Sequence, residues 1–106
     1  MSFEIPKCKI TVLKRMLNKD LIEEFLENPE HHPGACEFLK EGQEFIVDKP
    51  WEPPKGFCAW AWADIRKDIL TASGNGKMIG MKETGVIISG CSDWFRPVIF
   101  KIERFP

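Results

Sequence analysis

Three of the chain's four cysteines occupy short turns flanked by glycine or aromatic residues: Gly34-Ala35-Cys36-Glu37-Phe38, Gly56-Phe57-Cys58-Ala59-Trp60 and Gly90-Cys91-Ser92-Asp93-Trp94. Turns expose side chains, and an exposed thiolate is both a nucleophile and a ligand for soft metals. Cys58 stands directly ahead of a helical pattern, where unpaired N–H groups and the positive end of the dipole favour a thiolate, so it is the candidate nucleophile. Cys91 is followed by Ser92, Asp93 and Arg96, which supply a hydroxyl, a carboxylate and a guanidinium within one turn. Arg96 can clamp a carboxylate or phosphate in bidentate fashion, or pair with Asp93 to pin the turn; Asp93 also suits a turn without any catalytic role. Trp60 and Trp62 lie two apart on the expected helix, so only one of them can enter its apolar stripe. Trp62 fits the stripe. Trp60 is left either to line a pocket beside Cys58 or to pack under the nearby proline-rich loop. Cys8, at the start of a strand, is expected to pack in the core.

These residues support three chemistries. In the first, Cys36, Cys58 and Cys91 form one binding site that either holds a soft metal such as Zn²⁺ or Cu⁺ or frames a small anionic ligand reached by Arg96. In the second, Cys58 is the nucleophile or redox centre of a thiol-dependent enzyme, Cys36 or Cys91 resolves, and Asp93 or Arg96 positions the substrate. The third makes the chain an interaction module, whose exposed tryptophans, Trp51 and Trp94 especially, meet a partner or a second copy. Binding leads, because no histidine base or second catalytic carboxylate is evident near the thiols. A zinc knuckle is disfavoured, since no two cysteines are closer than 22 positions. His31 and His32 are adjacent on a proline-rich turn, so their side chains diverge and are expected to be solvated. The glycine-containing segment at 71–78 lacks the first glycine and the final Ser or Thr of a P-loop and reads as a helix end.

The elements that must position these groups are legible in the hydrophobic pattern. Residues 9–15 are β-branched and read as a strand; Asn18 is a plausible N-cap, with Leu21, Ile22, Phe25 and Leu26 forming an apolar stripe that ends before Pro29. Residues 43–48 alternate, with Phe45 and Val47 on one face. The proline-rich stretch at 50–56 cannot join a ladder and reads as a surface loop. Residues 59–72 are helical, because Trp62, Ile65 and Ile69 recur at helical spacing. Two apolar strands, 85–90 and 96–105, flank a connection of hairpin length at 91–95. The expected order is βαβαββ, a small α+β domain whose mostly antiparallel sheet is covered by two helices and has the option of curling toward a barrel.

Composition narrows the function classes. At 106 residues and 43% hydrophobic content the chain suits one compact domain over 1–106, with residues 1–6 as an arm. A net charge of −1 argues against nucleic acid, whose binding needs a clear basic excess. Lys9, Lys14, Lys101 and Arg104 offer at most a local basic patch. No run approaches the roughly 20 apolar residues that span a bilayer, and no signal-like segment opens the chain, so the expectation is a cytoplasmic protein with free thiols and no membrane partner. A homo-oligomer is compatible with this composition.

Four stretches carry a near full-length resemblance: Cys8-Lys9-Ile10-Thr11-Val12-Leu13-Lys14-Arg15, Glu41-Gly42-Gln43-Glu44-Phe45, Gly56-Phe57-Cys58-Ala59-Trp60-Ala61-Trp62-Ala63-Asp64-Ile65 and Arg96-Pro97-Val98-Ile99-Phe100-Lys101-Ile102-Glu103-Arg104. In these the chain resembles an uncharacterised family of small prokaryotic proteins with no assigned activity. The chain departs from the family pattern at Glu37, where proline is expected, and at Trp94, where glycine is usual. The resemblance implies a prokaryotic cytosolic origin and a shared role for Cys36, Cys58 and Cys91, without supplying a mechanism.

Overall fold

A computed structural model describes residues 6–105; the expected arm at 1–6 lies almost wholly outside them. The elements run β1 (Lys7–Arg15), α1 (Lys19–Phe25), a 3-10 turn (Pro29–His31), β2 (Glu44–Val47), α2 (Ala59–Ser73), β3 (Val86–Gly90) and β4 (Val98–Phe105). All strand pairs are antiparallel, in the order β2-β1-β4-β3. The α+β class and the βαβαββ order are therefore those the sequence pattern predicts. The sheet does not close into a barrel: among the described residues β2 and β3 are its edges. Closure requires the two edges to pair with a consistent tilt and stagger, and four strands leave too tight a circle for side chains.

Alternation places Cys8, Ile10 and Val12 of β1, Phe45 and Val47 of β2, Ile87 of β3, and Val98, Phe100 and Ile102 of β4 on one face. That face meets Ala61, Trp62, Ile65, Ile69 and Ala72 of α2, which recur at helical spacing and form a single buried stripe. Cover of the sheet comes chiefly from α2, which packs on β1, β3 and β4. Helix α1 lies beyond the end of β1, and Ile22, its one buried residue, is outside the main core cluster. No described helix is long and apolar enough to cross a membrane.

Two local features shape the end of the sheet where α2 begins. Between Val12 and Lys14 the β1–β4 register slips, so that Lys14 opposes Ile99 and Arg15 opposes Val98. A bulge absorbs one residue and reverses the alternation that follows, which turns Arg15 onto the α2 face of the sheet instead of the outer one. Opposite the bulge, Gly42 takes φ 84° and donates its N–H to the Val12 carbonyl at 2.8 Å. Such a left-handed turn favours glycine because a Cβ there crowds the following carbonyl.

Phe57 is the second feature. Its ring packs edge-on to Phe45 at 5.0 Å and to Trp62 at 6.3 Å, and lies 5.5 Å from Phe100. The start of α2 is thereby anchored in the core one residue before Cys58. The helix ends as expected near Gly74, but the left-handed residue is Asn75, at φ 65°. Gly76 is required for space: a Cβ there would sit 2.5 Å from Thr71 Cγ2.

Candidate ligand-binding site

One cavity of about 180 Å³ opens at the end of the sheet where β4 begins and α2 starts. Its walls include Cys36, Cys58, Trp60, Cys91, Asp93 and Arg96, so residues from three separate turns converge on it; Leu39, Ala61 and Val98 supply apolar walls. All three cysteines are partly buried, free, and packed against the main core.

Each thiol is held by a different device. Cys58 is the N-cap residue of α2, in extended conformation and without a side-chain cap bond. Its carbonyl accepts the first helical hydrogen bond, from Trp62 N at 2.9 Å. Cys91 extends the β3–β4 hairpin by one pair: its N–H donates to Val98 O at 3.1 Å, and Val98 N–H donates back to Cys91 Sγ at 3.3 Å. Cys36 belongs to a stretch without regular structure, and Arg15 holds it. The Arg15 guanidinium donates through Nη1 to the Cys36 carbonyl and through Nε to Glu41 Oε2, both at 2.8 Å. A hydrogen bond from its own backbone amide, together with that from Arg15, draws the Glu41 carboxyl below its ordinary range.

The turn after Cys91 is fixed from several sides. Asp93 Oδ1 accepts the N–H groups of Phe95 at 3.2 Å and Arg96 at 3.1 Å, while Oδ2 stands 3.6 Å from Arg96 Nε. The Asp93–Arg96 pair thus pins the turn, and both side chains still line the cavity. From α2, Asp64 Oδ2 accepts Ser92 N–H at 2.6 Å, and Trp60 Nε1 donates to Ser92 Oγ at 3.1 Å. Asn18 sits at the N-cap of α1 as its type suggests, but makes no cap bond with its side chain. Its amide instead donates to Trp94 O at 2.5 Å, tying that segment to the same turn. Trp60 does not pack away: it is 65% exposed and forms a cavity wall.

The remaining groups lie elsewhere. Cys8 is fully buried, with Sγ 3.2 Å from Ser73 Oγ and its thiol donating to Ile69 O at 3.9 Å. His31 and His32 belong to the 3-10 turn and the residue after it, away from the cavity walls. Among the described residues no three His, Cys, Asp or Glu side chains form a group that could hold a metal ion. Cys36, Cys58 and Cys91, the expected metal set, line the walls of one void.

On the outer sheet face, acids interleave with the basic residues. Lys9 Nζ lies 3.4 Å from Glu44 and 3.6 Å from Glu103, and Lys101 Nζ lies 3.4 Å from Glu103, so no patch of one sign forms there. Arg15 and Asp64, which position Cys36 and Ser92, carry no signature of that role in the sequence. Only the bulge and the helix rotation bring them to the site. Val98 was accessible to strand alternation, whereas Leu39 lies outside any periodic segment.

The chain matches no protein-family profile, no curated protein and no solved structure.

Proposed function

We propose that the cavity binds a small molecule with an apolar body and one anionic head. The thiols, Trp60 and the aliphatic walls take the body, and Arg96 takes the head. The observation that supports this most directly is the shared cavity itself: Cys36, Cys58 and Cys91 come from three distant segments and line one void together with a guanidinium. At about 180 Å³ it lies below the roughly 300–1,000 Å³ of drug-sized ligand pockets, which restricts the ligand to about the size of a single ring with its carboxylate. Asp93 neutralises Arg96 in the free protein, so the anion must compete with an ion pair that is partly solvent-exposed and weak. The guanidinium fork then engages the ligand carboxylate in two parallel hydrogen bonds.

Exposed aromatics favour a second reading. Trp60 forms a wall, Trp94 follows Asp93 and is 69% exposed, and Phe38 precedes Leu39 and is 62% exposed. Such side chains suit contact with a partner protein or a second copy.

One titration separates the readings. Benzoate-sized carboxylates are added to the full chain while unfolding temperature, Trp fluorescence and solution mass are followed. Ligand binding raises the unfolding temperature by several degrees at about 100-fold excess over Kd, since that excess stabilises by about 2.7 kcal/mol, and leaves the mass unchanged. Arg96→Gln removes the effect. Absence of any shift at millimolar carboxylate, with a mass that rises with protein concentration, counts against the ligand reading and for self-association.

A further inference from the structure

We propose that the cavity captures its ligand covalently: Cys58 Sγ attacks an electrophilic carbon of a small carboxylate whose anionic end is held by Arg96. This inference rests on the ligand-binding reading and adds the substrate class and the reacting atom.

Two observations carry it. First, Cys58 and Arg96 line the same void of about 180 Å³, so a small molecule that fills it meets both the nucleophile and the anion anchor. Second, the three thiols are not equivalent. Cys91 Sγ already accepts the Val98 N–H, and Cys36 lies on an irregular segment held through its backbone carbonyl. Cys58 has no side-chain cap bond, is fixed at the start of a 15-residue helix, and follows Phe57, which is locked in the aromatic core. A nucleophile on a rigid element with an uncommitted sulfur is the one best prepared to react.

The chemistry balances without an oxidant. With an alkene conjugated to the carboxyl group, the Cys58 thiolate forms a C–S bond at the β-carbon. The alkene π pair moves to the α-carbon and takes up a proton from solvent, which replaces the one lost by the thiol. With a haloacid, the same sulfur displaces halide: the C–S bond forms, the carbon–halogen bond breaks, and the thiol proton passes to solvent.

The test compares iodoacetate with iodoacetamide, two alkylating agents of nearly equal size of which only the first carries a carboxylate. Rates at each cysteine are read by intact mass and peptide mapping of the full chain, with glutathione as the free-thiol reference. The expected result is a first label at Cys58, with an iodoacetate-to-iodoacetamide rate ratio about tenfold above that of glutathione, the size of one good charge-assisted contact. Arg96→Gln returns the ratio to the reference value, and Cys58→Ser abolishes the fast phase while its circular dichroism reports an intact fold. Should Cys58→Ser not fold, Cys58→Ala serves, and mapping of the native chain decides independently. Labelling spread evenly over Cys36, Cys58 and Cys91, or a glutathione-like ratio at Cys58, overturns covalent capture. If benzoate still raises the unfolding temperature in that case, the binding reading stands and only the capture falls; loss of both removes both.

Discussion

Cys8 and the three cavity cysteines carry the same functional group in opposite surroundings. Cys8 Sγ touches Ser73 Oγ at 3.2 Å inside the core, whereas Cys36, Cys58 and Cys91 each keep part of their surface exposed. Burial removes water from the Cys8 sulfur and pushes its pKa above the ordinary 9.0, against a smaller opposite pull from the Ser73 hydrogen bond and the charge of Arg104. A raised folded pKa means that the native state holds the proton where the unfolded chain has lost it. The stabilisation is complete below the unfolded value and is lost as pH climbs through the folded one. Urea midpoints measured from pH 8 to pH 10.5 are therefore expected to fall more steeply, above about pH 9, in the native sequence than in Cys8→Ala. At neutral pH the substitution itself costs about 1–2 kcal/mol, from a small void and a lost hydrogen bond. Parallel pH curves for the two proteins would contradict the assignment of Cys8 as a buried, neutral thiol.

Helix α2 links the core to the cavity. Its apolar stripe of Trp62, Ile65 and Ile69 sits on the sheet, and residues beside that stripe reach β3 and the turn after Cys91: Asp64 holds Ser92 N–H, Trp60 holds Ser92 Oγ, and one turn further on Asp68 Oδ2 accepts the hydroxyl of Ser89 in β3 at 2.5 Å. One rotational setting of the helix therefore fixes both packing and loop position. Asp64→Ala removes a charge-assisted bond to a backbone amide, a change of about 1.5–3 kcal/mol. The turn at 91–96 should then loosen while α2 persists. The expected outcome is faster amide hydrogen exchange at Ser92 and quicker alkylation of Cys91, with helical circular dichroism unchanged. Unaltered exchange at Ser92 would show that the hairpin holds the turn by itself. The bulge in β1 has a matching role on the other side of the cavity, since without it Arg15 would point away from Cys36.

At the scale of the molecule, one helix and one four-stranded sheet share a single apolar cluster that runs from Cys8 to Ile102 and includes residues from β1, β2, α2, β3 and β4. The outer sheet face is stabilised differently, by charges that alternate in sign across strands. Those pairs are solvent-accessible and each contributes little. A core this continuous couples α2 to all four strands, whereas Ile22 of α1 lies outside it. Thermal and urea unfolding should therefore give coincident transitions by Trp fluorescence and by circular dichroism at 222 nm, with a urea m-value of about 1–3 kcal/mol/M. Separated transitions would indicate that the cavity end and the sheet are distinct cooperative units.

Much of this architecture follows from local pattern. Period-two alternation marks the strands, helical spacing of Trp62, Ile65 and Ile69 marks α2, and Pro29 and Gly74 mark where helices stop. The same local chemistry singles out Cys36, Cys58, Cys91, Asp93, Arg96 and Trp60 as the reactive or polar groups of exposed turns. Distance along the chain, however, carries no information about which turns meet. Their convergence on one cavity comes from strand order, from the register slip that redirects Arg15 and from the rotation of α2 that aims Asp64 at Ser92. These are long-range pairings, fixed by how the whole core packs, and no short window of residues encodes them.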